Sequence, residues 1–100
     1  MDTPTGQADS VAGHVRLRYW ASARAAAGTD EDVLDVEGPV TLRAIRERAR
    51  ALHASSARFA AVLDTCSVLV GDRPVASADP DTVVVEIGQT VEFLPPFAGG

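Results

Sequence analysis

The sequence has 100 residues, a hydrophobic fraction of 46% and one cysteine, which predicts a single small domain with one core and no intramolecular disulfide. Its formal net charge of −5 disfavours binding to nucleic acid or to an anionic membrane, because basic surfaces bind both. No apolar run approaches the ~20 residues of a membrane helix and no secretory signal is visible, so we expect a cytoplasmic protein.

Residues 1–13 are polar and small, and they are predicted to form a disordered N-terminal tail. They cannot bury enough apolar surface to offset the entropy of ordering. Residues 14–21 then alternate with period two, which is typical of a half-buried strand. Trp20 falls opposite to the residues of this strand that are predicted to point inward: Val15, Leu17 and Tyr19.

An alanine-rich stretch, residues 21–27, precedes Gly28 and predicts a short helical turn with a glycine cap. Residues 31–37 alternate again, with Leu34 and Val36 predicted to point inward. Because these two strands are close in sequence, we expect them to pair as a hairpin with an expanded connection.

Thr41 is a suitable N-cap for the clearest helix in the chain. The inner face of this helix is predicted to carry apolar residues at helical spacing: Leu42, Ile45, Ala49 and Leu52. The opposite face is predicted to be solvated and charged: Arg43, Arg46, Glu47 and Arg50. A second, shorter helical segment is predicted to begin at Ser55 or Ser56.

The remainder of the chain predicts short strands between turns. Residues 67–70 form a strand, residues 71–74 form a turn, and Val75 begins a short partner strand. Residues 83–87 are apolar and extended, and residues 90–94 form the final strand.

Strands and helices do not alternate regularly, so the pattern does not predict a doubly wound parallel sheet. Two strands, a main helix, a strand pair and a closing strand instead predict an α+β fold, in which a mixed sheet has one main helix packed across it. That arrangement is the ubiquitin-like β-grasp, here over residues 14–94, although the pattern also allows other small α+β sandwiches.

The last six residues, 95–100, are predicted to form a flexible tail that enters a partner's active site. Pro95 and Pro96 lack amide donors, so strand pairing stops there. After Phe97 come three residues that have almost no side chain: Ala98, Gly99 and Gly100. Four extended residues span roughly 13 Å at most. The tail can therefore carry the Gly100 carboxylate into a narrow channel, where no Cβ hinders approach to the reacting carbon.

The segment Val91–Gly100 reads VEFLPPFAGG and resembles the C-terminus of the small subunit of molybdopterin synthase, the MoaD type of sulfur carrier. Two further segments, Val15–Ala21 and Ala27–Thr29, look like the first strand and following turn of that family. The helix that opens at Thr41 also falls in the expected place. The resemblance covers about residues 14–100.

The resemblance implies a sulfur carrier for molybdenum cofactor biosynthesis that is not catalytic alone and binds no cofactor or metal. A ubiquitin-activating-type adenylyltransferase (MoeB-like) would use ATP and Mg²⁺ to make the acyl-adenylate of Gly100, and a sulfur donor protein would convert it to a thiocarboxylate. The tail would then enter a MoaE-type large subunit, which converts precursor Z (cyclic pyranopterin monophosphate) to molybdopterin.

Two aromatic residues are candidate docking contacts for such a partner, Trp20 and Phe97. For Phe97, packing back onto the sheet is an equally good interpretation. Cys66 is more simply interpreted as a small buried hydrophobic residue than as a redox residue. The acidic run at residues 30–32 is predicted to be a solvated loop, and the two histidines have no partners at metal-ligand spacing.

Three other functions remain open. The chain is also compatible with a sulfur carrier for thiamine or cysteine synthesis, with a ubiquitin-like modifier that forms isopeptide bonds through Gly100, and with a plain interaction domain. All nine basic residues are arginines, so an activated C-terminus would meet no lysine amine within its own chain.

Overall fold

The computed structural model describes residues 13–96. The predicted disordered segment lies outside the described residues except for Gly13, which begins the first strand. Within residues 13–96, ten helices and strands follow one another: β1 Gly13–Tyr19, α1 Ala21–Ala27, β2 Glu31–Val36, β3 Val40–Thr41, α2 Leu42–Leu52, α3 Ala57–Thr65, β4 Ser67–Val70, β5 Arg73–Pro74, β6 Val84–Val85 and β7 Thr90–Leu94.

Five strands form one mixed sheet in the order β2-β1-β7-β4-β5. The first and last strands, β1 and β7, are parallel neighbours, whereas every other pair in this sheet is antiparallel. The hairpin of β1 and β2 has the expected expanded connection, which contains α1. A separate two-stranded sheet joins β3 to β6.

One face of the large sheet and one side of each helix form a single apolar core. The inward residues predicted for β1 have exposed fractions of only 0–2%, and the pair predicted for β2 is likewise buried. The period-two patterns are therefore confirmed. The largest fully buried side chains are Phe59, Phe93, Leu17, Leu42, Ile45, Leu63, Val15, Val85 and Val91.

The predicted helix boundaries are confirmed by their caps. Gly28 closes α1 with φ at 78°, a left-handed conformation that favours glycine, and its N–H donates to the Arg24 carbonyl at 2.9 Å. The Thr41 hydroxyl accepts from the Ala44 N–H at 3.1 Å at the start of α2. Ser56, one of the two predicted starts, caps α3 in the same way.

The predicted main helix and the two predicted shorter helical segments are confirmed, and all three pack against the sheet within the described residues. Two details of the sequence-based prediction are wrong. The turn after β4 is tighter than predicted, so β5 begins at Arg73 and not at Val75. Leu52 is 54% exposed because it is the last residue of α2, beyond the part of the helix that the core covers.

The arginine face of α2 also differs from a simple solvated face. Arg46 and Arg50 both contact the Asp64 carboxylate of α3, and Arg43 contacts Asp81 at 2.5 Å. These side chains find partners because α3 and the loop before β6 lie beside α2. Exposed ion pairs of this kind contribute little to stability, because solvent screens the charges.

Candidate functional site at the end of the last strand

Strand β7 lies inside the sheet, between β1 and β4, and not at its edge. Val91 and Phe93 of β7 are fully buried, and Leu94 pairs with Ser67 at the end of β4. These contacts fix the last strand on both sides. The chain therefore leaves the domain at one defined point, directly after Leu94.

The segment after β7 changes from paired to unpaired within two residues. Pro95 is half-buried and Pro96 is exposed, and neither is part of a strand. Without amide donors they cannot continue the ladder. The remaining predicted tail residues, Phe97, Ala98, Gly99 and Gly100, lie outside the described residues, so their role stays a prediction.

Trp20 lies beside the point where the chain leaves the sheet. Its backbone N–H donates to the Phe93 carbonyl at 3.2 Å, and its indole Nε1 donates to the Glu92 carboxylate at 2.9 Å. The Arg18 guanidinium stacks over the indole ring at 5.1 Å from its centroid. Trp20 comes after β1 rather than within it, and its side chain is 40% exposed.

The outward face of the sheet next to Trp20 carries both signs of charge. Arg16 lies 3.4 Å from Glu31, and Arg18 is opposite Glu92 in the pairing of β1 with β7. A shallow hollow of about 390 Å³ on this side is lined largely by polar residues: Arg16, Arg18, Asp72, Gln89, Thr90 and Glu92. Of these charged residues, Arg18 and Glu92 contact the Trp20 ring and hold it on this face.

A second cluster lies on the buried side of the sheet, around Tyr19, the residue before Trp20. The Tyr19 hydroxyl donates to the Asp32 carboxylate at 2.7 Å, and His53 Nε2 lies 2.6 Å from the same oxygen. Burial, followed by the hydrogen bond to Asp32, raises the pKa of Tyr19 far above its ordinary value. Glu31 and Asp32 both lie in β2, and Asp32 also belongs to this cluster, so the prediction of a solvated loop is wrong for these two residues.

Cys66 is half-buried against the core, as predicted, and its Sγ donates to the Val62 carbonyl at 3.3 Å. Burial raises the pKa of its thiol to about 11 despite the opposing charge of Arg46, so this thiol is a poor nucleophile at neutral pH.

No group of three metal-ligating side chains occurs among residues 13–96. No helix within that same range is long and apolar enough to cross a membrane.

The sequence indicates Trp20 as a candidate contact, but it does not indicate the two carboxylates that accept hydrogen bonds from Trp20 and Tyr19. Glu92 and Asp32 are carboxylates in strands, and nothing in their own spacing indicates an aromatic partner. The signal available was the alternation of β1, which places Tyr19 and Trp20 on opposite sides. Their partners depend on strand register, which the sequence does not give directly.

Comparison with solved structures shows that the chain has the ubiquitin-like β-grasp fold that the sequence predicts. Small archaeal modifier protein 1 from Haloferax volcanii is similar with a TM-score of 0.70 and 21% identity, over 88% of this chain and 100% of that one. A protein from Pyrococcus furiosus, assigned as subunit 1 of a molybdopterin converting factor, is similar with a TM-score of 0.67 and 22% identity, over 84% of this chain and 98% of that one.

Urm1 from Trypanosoma brucei is a more distant structural neighbour, with a TM-score of 0.58 and 18% identity over 91% of this chain and 99% of that one. No protein-family model and no curated protein sequence matches this chain. At these identities the likeness establishes the fold and leaves the activity to be argued from the residues.

Proposed function

We propose that this protein is a sulfur carrier for molybdenum cofactor biosynthesis and that Gly100 carries the free carboxylate of the mature chain. The observation that carries the proposal is the position of β7, which is held between two strands and delivers the chain to the surface at Pro96. A fixed exit, followed after Phe97 by a slim Ala-Gly-Gly end, suits delivery of a carboxylate into another protein.

The proposed chemistry has three steps, all performed by partners. An adenylating enzyme joins the Gly100 carboxylate to the α-phosphate of ATP with Mg²⁺, and pyrophosphate leaves. A persulfide of a donor protein then attacks the acyl carbon and AMP leaves, which gives an acyl disulfide. A second thiol of the donor reduces the S–S bond, which releases the Gly100 thiocarboxylate and leaves a disulfide on the donor. The thiocarboxylate sulfur is transferred to precursor Z inside the large subunit of molybdopterin synthase, while the carrier itself supplies only positioning.

The proposal assigns partner contacts to the exposed residues nearest the exit. Trp20 is anchored to Glu92 and covered on one side by Arg18, so a partner meets an indole that is already oriented. Pre-oriented aromatic groups are the usual anchors of protein interfaces, because little side-chain entropy is lost on binding. Phe97 and the tail would follow this anchor into the partner.

The test is a reconstituted reaction followed by intact-mass measurement. After incubation with ATP, Mg²⁺, an adenylating enzyme and a sulfur donor, the full chain should gain the mass difference of one oxygen replaced by sulfur. A variant that lacks Gly100 should gain nothing, although its thermal unfolding midpoint should be unchanged. Equal sulfur loading of the shortened chain would end the proposal.

A ubiquitin-like modifier is the second candidate, and the likeness to small archaeal modifier protein 1 favours it. In that case Gly100 would form an isopeptide bond with a lysine of another protein. This chain contains no lysine, so its copies cannot be linked to one another through lysine side chains. Covalent adducts of target proteins, in place of the oxygen-for-sulfur mass change, would identify a modifier.

A further inference from the structure

Among residues 13–96, strand β2 is one edge of the five-stranded sheet, and no other described strand pairs with its outer side; it is called the free edge of β2 below. The Tyr19 N–H donates to the Asp30 carbonyl at 2.9 Å, so hydrogen-bonded positions alternate from there along the pairing of β1 with β2. The backbone groups of Asp32 and Leu34 therefore point toward β1. Those of Glu31, Val33 and Asp35 point away from the sheet, where a further strand can pair with them.

The two ends of this edge are partly occupied and its centre is open. The Thr29 hydroxyl donates to the Glu31 carbonyl at 3.2 Å, and Arg48 of α2 donates to the Asp35 carbonyl at 2.8 Å. Between them lies Val33, whose side chain is 50% exposed. Native proteins commonly protect their edge strands in this way, but here the protection stops short of the middle.

A hollow of about 240 Å³ adjoins the edge between β2 and α2. Leu34 lies on its β2 side, and Ala51 and Leu52 line it from the last turn of α2. Leu52 is 54% exposed here, although its helical spacing predicts burial. A strand added beside β2 would direct every second side chain toward this hollow, and an apolar side chain there would cover Leu52.

The charges along β2 indicate the occupant. Asp35 has an 89% exposed side chain and Glu31 a 39% exposed one, despite their contacts with His14 and Arg16. A second copy paired antiparallel about Val33 would place Glu31 opposite Asp35 of the other chain, and like charges in that position are destabilising. Arginine or lysine side chains at the outward positions would instead complement both carboxylates.

We propose that the free edge of β2 binds an extended segment of a partner protein in which basic and apolar residues alternate. The segment would add a strand to the sheet, with its basic side chains beside Glu31 and Asp35 and an apolar side chain against Leu52. This binding is non-covalent and does not involve Gly100, so it stands apart from the proposed function.

The probe for this surface is the capped peptide Arg-Val-Arg-Val-Arg-Val-Arg, titrated into the full-length protein and followed by amide NMR. Shifts should concentrate at the amides of Glu31, Val33 and Asp35 and at the Leu52 methyls. In the free protein the Val33 amide should exchange with solvent much faster than the Leu34 amide. The same peptide with glutamate in place of arginine should not bind.

Two variants and a matched control separate this site from general charge attraction. Asp35→Arg should weaken peptide binding about two- to fivefold and Leu52→Ser about five- to tenfold. Asp72→Arg makes the same charge change in the exposed turn after β4 and should leave binding unchanged.

Three results would overturn the proposal. If Asp72→Arg and Asp35→Arg weakened peptide binding equally, net charge alone would explain the binding. Peptide-induced shifts around Arg18 and Glu92 would place binding on the sheet face. Slow exchange of the Val33 amide without peptide, with or without self-association in sedimentation, would mean that the chain or a second copy already covers the edge.

Discussion

Tyr19 and Trp20 are consecutive aromatic residues, and each donates a side-chain hydrogen bond to a carboxylate in a strand that neighbours β1. Tyr19 is 2% exposed and contacts Asp32, whereas Trp20 is 40% exposed and contacts Glu92. The chemistry of the two contacts is similar, and the difference lies in the side of the sheet. On the buried side such a contact holds the core together, and on the exposed side it orients the indole at the surface, where we propose that a partner binds.

The surroundings of each ring support this division. The Tyr19 ring packs against Phe59, Phe93 and the His53 ring, with centroid distances of 5.3–5.9 Å. Trp20 has a cation on one face and solvent beside it. Removing Tyr19 should therefore affect the free energy of unfolding, while removing Trp20 should affect association.

The largest effect expected is on stability. Tyr19→Ala leaves a cavity among three aromatic rings and removes the hydrogen bond to the Asp32 carboxylate. It should lower the free energy of unfolding by about 3–5 kcal/mol. Trp20→Ala removes a half-exposed ring and should lower it by less than about 1 kcal/mol. Urea unfolding of both variants measures the difference. Equal losses would contradict the assignment of one ring to the core and the other to the surface.

Removing only the Tyr19 hydroxyl should have a smaller effect. Tyr19→Phe leaves the Asp32 carboxylate with one partner fewer and should lower the free energy of unfolding by about 1.5–3 kcal/mol at neutral pH. Unfolding curves of the two proteins in the same buffer give this value. His53→Ala is the companion variant, because it removes the other contact of Asp32 and keeps the phenol.

The raised pKa of Tyr19 also predicts a dependence on alkaline pH. Above the ordinary value of 10.0, the unfolded chain loses the phenol proton while the folded chain keeps it, so the unfolded state is favoured as pH rises. The contribution of Tyr19 should fall by about 1.4 kcal/mol for each pH unit above that point. Tyr19→Phe should remove this contribution to the pH dependence of the free energy of unfolding between pH 10 and 12. An unchanged pH dependence in this variant would contradict the assignment to Tyr19.

On the exposed side the effect should appear in association. Trp20→Ala should raise the KM of the adenylating enzyme for this protein about five- to tenfold with little change in kcat, because the anchor contributes to docking and not to the reaction. Val84→Ala, which alters an exposed apolar side chain in the separate two-stranded sheet, is the control. A loss of kcat with KM unchanged would argue against a docking role.

The smallest effect is expected at Cys66. Because its thiol pKa is about 11 instead of 9.0, the thiolate fraction at neutral pH should be about 100-fold below that of an ordinary cysteine. Alkylation of the folded chain should be correspondingly slow and should become fast in urea. Cys66→Ala should load sulfur as well as the original chain does, and a defect in loading would assign the thiol a chemical role.

The local sequence predicted most elements because each has a local cause. Alternation fixed the buried residues of β1, β2 and β7, and Thr41, Ser56 and Gly28 fixed helix ends through hydrogen bonds within a few residues. Strand β6 lies within the predicted extended segment at residues 83–87, but β3 had no such signal, and neither did the pairing of the two strands. Each has two residues, and they pair across more than forty positions in the chain, which no local pattern encodes.

Only part of the candidate site could be predicted from the sequence. The terminal glycines and the proline pair can be read from the sequence, as can the placement of Trp20 opposite the core. The position of Trp20 beside Phe93 depends on the parallel pairing of β1 with β7, which joins the two ends of the chain. The same is true of Glu92, which becomes a partner of Trp20 only through that pairing.

By itself, then, the sequence determined which residues face inward, where the helices begin and where strand pairing stops, because these depend on side-chain period, caps and missing amide donors within a few residues. The tertiary structure alone decided that β7 lies inside the sheet, that Trp20 stands at its exit and that β2 keeps an open edge. Those features depend on strand order and register, which come from packing between segments that are distant in the chain.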